Sequence, residues 1–195
     1  EQFLSLGKTP PANSFLKKED FKKEKRFPLR VGFCHNCNLV QLMDVVDKKV
    51  LFSNYVYFYS VMPKASDHFG AYTDEVISRG VKDLENDLIF EFGSNDGLLL
   101  KAFKERGCQR VLGLDPAKNI VKFANQNKIP TICDFLSEPL AKKIAKKYGR
   151  AKVVIGNNVV AHIDDYQDLV SSVKTVLDKN GKNMTLPVYI KKIFS

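Results

Sequence analysis

The sequence predicts an α/β fold in which a doubly wound, parallel sheet follows a small, loop-rich amino-terminal module. From residue 88 onward, short apolar runs of strand length alternate with amphipathic runs of helix length, the pattern of a parallel sheet covered by helices. Before that point the chain lacks long hydrophobic periodicity and carries Pro10-Pro11 and a Cys-x-x-Cys pair. These observations predict a module over residues 1–48, an aromatic segment and linking helix over residues 49–86, and a sheet domain over residues 87–195.

Composition sets broad limits on the class of protein. With 195 residues and 44% hydrophobic content, the chain has enough apolar side chains for a folded core. Four cysteines, no amino-terminal secretory pattern and no apolar run of bilayer length favour a cytoplasmic protein without a disulfide framework. Because the chain starts with Glu1 rather than Met and stops soon after what would be a fifth strand, we expect a fragment truncated at both ends.

The net charge of +9 has two interpretations. The lysines occur in runs such as Lys22-Lys-Glu-Lys-Arg26 and Lys146-Lys147, spread over several segments. Such runs are typical of a solvated surface, but an anionic partner, either nucleic acid or a nucleotide-linked metabolite, would favour the same balance. Composition does not separate these alternatives.

The stretch Leu88-Ile-Phe-Glu-Phe-Gly-Ser-Asn-Asp-Gly-Leu98 predicts a strand, a tight turn and the start of a helix. In a parallel sheet this turn lies at the carboxyl edge, where ligands bind. Gly93 and Gly97 would let the backbone approach a ligand, because glycine has no Cβ and tolerates positive φ. Asn95 replaces a glycine of the dinucleotide pattern, which favours a nucleoside without phosphates, above all S-adenosylmethionine. Glu91, which ends the strand, completes this group of candidate cofactor residues.

A second carboxylate is predicted at the same edge. Asp115 ends the apolar run Arg110-Val-Leu-Gly-Leu-Asp115 and follows Gly93 by 22 residues, close to the spacing of about 20 expected for a ribose-binding acid. The alternative is a helix N-cap, with Pro116 at the first helical position. Past the third strand, Asp134 and Phe135 could hold an adenine by its amine and its face.

The remaining elements follow from periodicity and capping signals. A linking helix is expected from Asp67, as the cap, to about Leu84. The other predicted elements are a helix near Ala117–Asn125, a strand Thr131–Cys133, a helix Glu138–Tyr148, a strand Lys152–Gly156, a helix Tyr166–Leu177 and a strand-like piece Asn183–Leu186. Ser137 is the predicted start signal of the helix Glu138–Tyr148, and Gly149 is its predicted end.

Cys34-His-Asn-Cys37 lies between two short strand-like pieces, at residues 29–33 and 39–43. This arrangement presents two thiolates as a zinc knuckle does, but it supplies only half of a tetrahedral site. His35 is a poor third ligand, because adjacent residues seldom coordinate one ion together. Cys108 and Cys133 are expected to be core residues.

With these residues in place, the chain resembles the S-adenosylmethionine-dependent sugar C-methyltransferases that act on nucleotide-linked 4-keto deoxysugars. The resemblance implies a Rossmann-like, class I methyltransferase sheet, an amino-terminal module with structural Zn²⁺ on Cys34 and Cys37, and a carboxyl-terminal substrate domain. The matching stretches are Leu6-Gly-Lys-Thr-Pro-Pro-Ala-Asn-Ser-Phe15, Cys34-x-x-Cys37-x-Leu-Val-Gln-Leu42, Leu51-Phe-x-x-Tyr55-x-Tyr57, Glu91-Phe-Gly-Ser-Asn-Asp-Gly97, Asp115-Pro-Ala-x-Asn119 and Gly156-Asn-Asn-Val-x-Ala-His162-Ile.

The resemblance also implies roles for further residues. Abstraction of the proton α to the C4 ketone needs a base of near-neutral pKa and a donor for the developing oxyanion. His162 is the expected base, with Tyr57 as donor or second acid/base, and Asn157 is expected beside the cofactor. A helix-start role for His162 and an aromatic lid for Tyr57 are the structural alternatives.

Three departures from the family pattern keep other functions open, and one of them is that the whole carboxyl-terminal substrate domain is absent. The family's first Cys-x-x-Cys precedes the Leu-Gly-x-x-Pro segment and is not in this chain. The family's acidic segment after the fifth strand corresponds here to Thr185-Leu-Pro-Val-Tyr189, which has no glutamate. The competing functions are an RNA methyltransferase, for which no separate basic and aromatic module stands out, and a non-catalytic, methyltransferase-like binding module.

Overall fold

The computed structural model describes residues 1–62 and 65–183, and these divide into two compact units, one ending at Val56 and the other starting at Tyr57. The predicted strand Asn183–Leu186 lies almost wholly outside the described residues, as do Pro187 and Tyr189. Within the described residues, no helix combines the length and the apolar character that a membrane span requires.

The first unit is built on a three-stranded antiparallel sheet in the order β1-β2-β3. Its strands are β1 (Gln2–Thr9), β2 (Phe27–Phe33) and β3 (Val40–Leu42), and the short helix α1 (Lys48–Phe52) follows them. The sequence predicted β2 and β3 but not β1. Because almost every side chain of β1 is exposed and its pairing with β2 is irregular, the strand has no alternating apolar pattern to reveal it.

The second unit contains a five-stranded, all-parallel sheet in the order β6-β5-β4-β7-β8. Its strands are β4 (Ile89–Phe92), β5 (Val111–Asp115), β6 (Thr131–Cys133), β7 (Ala151–Ile155) and β8 (Leu177–Asn183). Every residue of β4 and β5 is buried, because helices cover both faces of the sheet. The predicted parallel, doubly wound sheet is therefore confirmed.

Five helices of the second unit pack on the two faces of the sheet. They are α2 (Ala65–Gly80), α3 (Leu98–Glu105), α4 (Lys118–Gln126), α5 (Glu138–Tyr148) and α6 (Tyr166–Val176). Apolar residues of α2, α3 and α4 pack against Ile89, Val111 and Val153, whereas those of α5 and α6 pack against Phe90 and Leu112. Successive strand residues thus point to opposite faces, as the pleat requires.

Two predicted helix starts differ from the structure. The linking helix α2 begins at Ala65, so Asp67 lies in its first turn rather than at its cap. Helix α4 begins at Lys118 with Ala117 as N-cap, so Pro116 precedes the helix and is not its first residue. The predicted first residue of α2 lies three residues after the observed one, and that of α4 lies two residues before it, so the capping signals locate these helix starts only approximately.

A close packing contact at Gly156 gives the first prediction. A Cβ added there would lie 2.6 Å from Cε2 of the buried Phe92 ring, so Gly156→Ala overpacks the sheet. We expect a loss of about 1–3 kcal/mol in the free energy of unfolding, measured by urea denaturation. The control is Gly70→Ala in helix α2, where the nearest atom, at 3.2 Å, is the flexible end of Arg106. That change should stabilise by about 0.5–1 kcal/mol, and a Gly156 variant as stable as this control would contradict the packing argument.

Candidate functional site

The candidate site lies at the carboxyl edge of the parallel sheet. The connections from β4 lead to β5 and β6 on one side, while β7 and β8 lie on the other, so the strand order reverses between β4 and β7. Ligands of open α/β sheets bind at such a switch point. The turn at residues 93–97 follows β4, Asp115 ends β5, and Asn157 lies two residues past β7. The topology therefore brings together three of the predicted groups of site residues.

Alternate residues of the turn after β4 have left-handed backbone. Gly93, Asn95 and Gly97 have φ values of 65°, 48° and 80°. The amides of Gly93 and Ser94 both donate to the carbonyl of Leu114 on β5, at 2.7 Å and 3.1 Å. These bonds hold the turn against the end of the neighbouring strand.

The glycines of this turn also have a packing role. A Cβ at Gly97 would lie 2.7 Å from Cγ2 of Ile129, and one at Gly93 would overlap the Val159 side chain. The sequence predicted that a ligand would approach these glycines closely. The structure shows close approach by the protein's own side chains, so the need for glycine at both positions has an internal cause.

The Asp115 carboxylate is fixed in place by two backbone amides. One oxygen accepts from the Asn95 amide at 3.0 Å and the other from the Ala117 amide at 2.9 Å. Burial raises the pKa of this carboxyl, and the two amide hydrogen bonds oppose that effect. Each carboxylate oxygen can accept a second hydrogen bond. Asp115 therefore serves the local turn and can still accept hydrogen bonds from a ligand.

Beside Asp115 lies a buried acid with no polar partner among the described residues. Glu91 is 1% exposed, and neither of its carboxyl oxygens has a hydrogen bond. Burial first, and then the charges of Asp115 and Asp96, raise its pKa well above the ordinary value. One oxygen of Asp96 and the hydroxyl of Ser94 are likewise buried without a partner. These groups form a cluster of buried hydrogen-bond acceptors, and this cluster would stabilise a positively charged ligand bound beside it.

The Asn95 side chain does not point into this acidic region. Its oxygen accepts from the Tyr59 amide at 3.0 Å, and its amide group donates to the Tyr57 carbonyl at 2.9 Å. Asp96 accepts from the Ser60 amide at 2.8 Å. Sequence reasoning assigned Asn95 to the cofactor and did not single out Asp96, because both contacts join residues 36 positions apart.

The residues expected to carry the chemistry lie at the periphery. Tyr57 is 40% exposed and its ring meets that of Tyr59 edge-on at 5.9 Å. His162 is exposed in a 3-10 turn, Val160–His162, four residues before helix α6 begins at Tyr166. Asp134 is exposed just past β6, with Phe135 half-buried beside it, and one Asp134 oxygen accepts from the Phe135 amide at 2.8 Å.

A second tyrosine, not predicted as a site residue, joins the buried group. Tyr72 on helix α2 lies close enough to the side chains of Asn157 and Glu91 for both to affect the pKa of its hydroxyl. Burial first, and then the Glu91 charge, raise the pKa of Tyr72. The apolar stripe of α2 could have indicated that Tyr72 faces the sheet, but not that its hydroxyl reaches the end of β7.

The Cys-x-x-Cys pair occupies a tight turn in the first unit. The Cys34 amide donates to Leu39 and the Asn38 amide donates to Cys34, which closes the turn between β2 and β3. Hydrogen bonds from the Cys37 and Asn36 amides are the main cause of a lowered pKa at Cys34. In residues 1–62 and 65–183, however, no group of three potential ligands is present. The described residues thus provide two thiols suited to Zn²⁺ but not a complete site.

Comparison with protein families matches both parts of the chain. Residues 1–52 match the family described as "Putative zinc binding domain", and residues 90–185 match the family described as "Methyltransferase domain". Over 180 residues the chain is 36% identical to the C-methyltransferase NovU of Streptomyces niveus. That alignment covers 91% of this chain but 42% of the relative, so the chain spans less than half of the relative's length.

Solved structures give the same fold. A "putative s-adenosyl-l-methionine-dependent methyltransferase" from Methanococcus maripaludis has a TM-score of 0.51 at 15% identity, covering 63% of this chain and 56% of that one. The plantazolicin methyltransferase BpumL, in complex with S-adenosylhomocysteine and a pentazolic desmethylPZN analog, has a TM-score of 0.51 at 14% identity, covering 66% and 49%. At these identities the likeness shows the fold alone, a Rossmann-like methyltransferase sheet with five parallel strands.

Proposed function

We propose that this chain, a member of the family of S-adenosylmethionine-dependent methyltransferases with an amino-terminal zinc binding domain, binds S-adenosylmethionine at the carboxyl edge of the sheet. We further propose that it serves the C-methylation of a nucleotide-linked 4-keto deoxysugar. The relative that suggests this activity aligns with the chain over 42% of its own length. The reaction and its acceptor are therefore proposed for this chain and not transferred from the relative as established.

The observation that carries the proposal is the buried group of acids at the switch point. Glu91, Asp96 and Asp115 are 1%, 4% and 8% exposed, and the described residues place no cationic side chain on them. S-adenosylmethionine carries a sulfonium and an ammonium, so it would supply the missing positive charge. The free acceptor positions of Asp115 suit the two ribose hydroxyls. The residues present therefore fit this cofactor.

The other predicted cofactor residues take peripheral roles in the proposal. Asp134 and Phe135 follow β6, next to β5, and they would contact the adenine. Asn157 follows β7 on the opposite side of β4, where it lies near Tyr72. Pro116 and the turn glycines would shape the backbone around the ribose rather than bond to the ligand.

The proposed chemistry proceeds through an enolate. His162 would remove the proton on the carbon next to the ketone, and Tyr57 would donate a hydrogen bond to the oxygen on which charge develops. When bound, S-adenosylmethionine supplies the electrophilic methyl group. The exposed position of His162 lets an acceptor reach its ring from solvent.

The first test is calorimetric titration of this chain with S-adenosylhomocysteine. One-to-one binding in the micromolar range would support the cofactor site. Absence of binding by the folded chain would contradict it and would leave a methyltransferase-like binding module as the better interpretation. A salt-dependent affinity for RNA would instead favour the RNA methyltransferase.

His162→Ala gives a test of the proposed base. We expect proton abstraction to fall about a hundredfold or more, the usual contribution of a general base. The measurement is the exchange of the α proton of a nucleotide-linked 4-keto deoxysugar with D₂O, followed by NMR, which needs no methyl transfer. His68→Ala is the matched control, since His68 is an exposed histidine on helix α2. Equal exchange in the two variants would remove His162 from the mechanism.

A further inference from the structure

The segment of residues 57–60 lies against the turn of residues 93–97, and its two middle residues make aromatic contacts with helices. The Phe58 ring meets Phe123 of helix α4 edge-on at 5.4 Å. The Tyr59 ring packs against Phe69 of helix α2 at 5.5 Å. Because α4 follows β5 and α2 precedes β4, the segment runs between helices that lie on either side of the glycine turn in the chain.

The backbone of this segment is held by side chains of the turn at residues 93–97. Asn95 accepts from the Tyr59 amide at 3.0 Å and donates to the Tyr57 carbonyl at 2.9 Å, so both ends of its amide group are used. Its neighbour Asp96 accepts from the Ser60 amide at 2.8 Å. Two consecutive side chains of the turn therefore bond to consecutive peptide groups of a segment that is distant in sequence.

Asn95 also contacts the predicted ribose acid through its backbone. Its amide donates to Asp115 at 3.0 Å, while its side chain holds Tyr57 and Tyr59. The positive φ of 48° is a conformation that asparagine adopts more readily than most residues. In this conformation the amide and the side chain of one residue reach two different parts of the site.

We infer that Asn95 and Asp96 are positioning residues that fix the backbone of residues 57–60, and with it the Tyr57 side chain, relative to the cofactor turn. The inference rests on the proposed function for the role of Tyr57, but the contacts themselves are independent of it. The Asn95 side chain thus acts on Tyr57, the residue proposed to contact the methyl acceptor. Only its backbone amide acts on the cofactor site, through Asp115.

The position of Tyr57 matters for the proposed reaction. An oxyanion donor is effective only when it is held in place before charge develops. The Tyr57 side chain is partly exposed, its ring meets that of Tyr59 edge-on, and its hydroxyl donates to the sulfur of Met62 at 2.6 Å. The hydrogen bond to its carbonyl adds a restraint on its backbone, from the turn that also contacts Asp115.

Asn95→Gly is the variant that tests the inference. Glycine keeps the left-handed backbone and the amide that donates to Asp115, and it removes only the side chain. The readout is amide hydrogen exchange of the ligand-free chain, followed by NMR at Tyr59 and Ser60. We expect exchange at Tyr59 to rise about tenfold, the effect of losing one hydrogen bond from a local opening equilibrium. Asn13→Gly is the matched control, since Asn13 is an exposed asparagine with φ of 61°.

A second arm separates positioning from general loosening. In Asn95→Gly we expect the affinity for S-adenosylhomocysteine to change less than about threefold, because the Asp115 contact is retained, while exchange of the acceptor's α proton falls about tenfold. Unchanged amide exchange at Tyr59 would overturn the inference whether or not the cofactor binds. Loss of cofactor affinity in parallel with α-proton exchange would also overturn it, because Asn95 would then act on the whole site. Failure of the unmodified chain to bind S-adenosylhomocysteine would contradict the proposed function alone, and the Tyr59 exchange rate would still decide the contact.

Discussion

Asp115→Asn is expected to weaken the binding of S-adenosylhomocysteine about ten- to a hundredfold while leaving the fold intact. The carboxylate already accepts from the Asn95 and Ala117 amides, and each oxygen has one acceptor position left for a ribose hydroxyl. Asparagine keeps one oxygen and replaces the other by a donor. A hydrogen bond to a charged group contributes about 1.5–3 kcal/mol, and 1.4 kcal/mol is tenfold in affinity.

The measurement is calorimetric titration beside a matched control. Asp67→Asn makes the same chemical change at an exposed carboxylate in the first turn of helix α2 and should bind as the unmodified chain does. Because Asp115 also holds the turn, the NMR spectrum of the variant is needed to show that Asn95 and Ala117 keep their environment. Binding by a folded Asp115→Asn chain within threefold of the control would exclude Asp115 as the ribose acid.

The sheet domain was predictable because its signals are local and strong. Strand β6 at Thr131–Cys133 and helix α5 at Glu138–Tyr148 agree with the sequence prediction at both ends. Gly149, with φ of 85°, ends helix α5 as predicted. The predicted start at Ser137 is right, but its side chain makes no capping bond; the amide of Glu138 instead donates to Asp168 of helix α6. The position of the helix start could be predicted from the sequence, whereas the side chain that accepts from its first amide could not.

The site was predictable only in part, because only some of its features are encoded by local sequence patterns. Carboxylates at the ends of β4 and β5 follow from the strand pattern alone, since parallel strands end at one edge. The contacts of Asn95 with residues 57–60 depend on how distant segments pack, and no local pattern encodes them. Desolvation is likewise a tertiary property. Glu91 has the same residue type and strand position whether buried or solvated, and only the packed structure shows that its carboxyl has no partner.

Glu91→Gln is expected to stabilise the cofactor-free protein at neutral and alkaline pH. The raised pKa of Glu91 in the folded state, caused by burial and by Asp115 and Asp96, means that the folded chain keeps a proton that the unfolded chain releases near pH 4.5. The folded state therefore binds more protons above that pH, and its stability falls as pH rises toward the folded-state pKa. Glutamine resembles the protonated acid and cannot ionise, so this loss disappears.

The test is urea denaturation of both proteins at pH 5 and pH 8. We expect the stability of the variant relative to the unmodified chain to increase from pH 5 to pH 8, because the unmodified chain loses about 1.4 kcal/mol for each unit by which the folded-state pKa lies above the unfolded one. Some pH dependence should persist in the variant, because burial also raises the pKa of Asp115. Glu105→Gln, an exposed change on helix α3, is the control and should show no such gain. An unchanged difference between the two pH values in Glu91→Gln would show that this carboxyl is not the group that ionises.

The same variant should bind S-adenosylmethionine less tightly, by about tenfold or more, because the positive charge of the ligand would lose a buried counter-charge. S-adenosylhomocysteine, which lacks the sulfonium, should lose less affinity than S-adenosylmethionine does. Such a residue destabilises the protein without its ligand and stabilises the complex with a cation. This combination is expected of a site adapted to bind a charged ligand rather than to pack a core. If Glu91→Gln stabilised the chain and left both affinities unchanged, Glu91 would be only a strained core residue, and the electrostatic argument for the cofactor would fail.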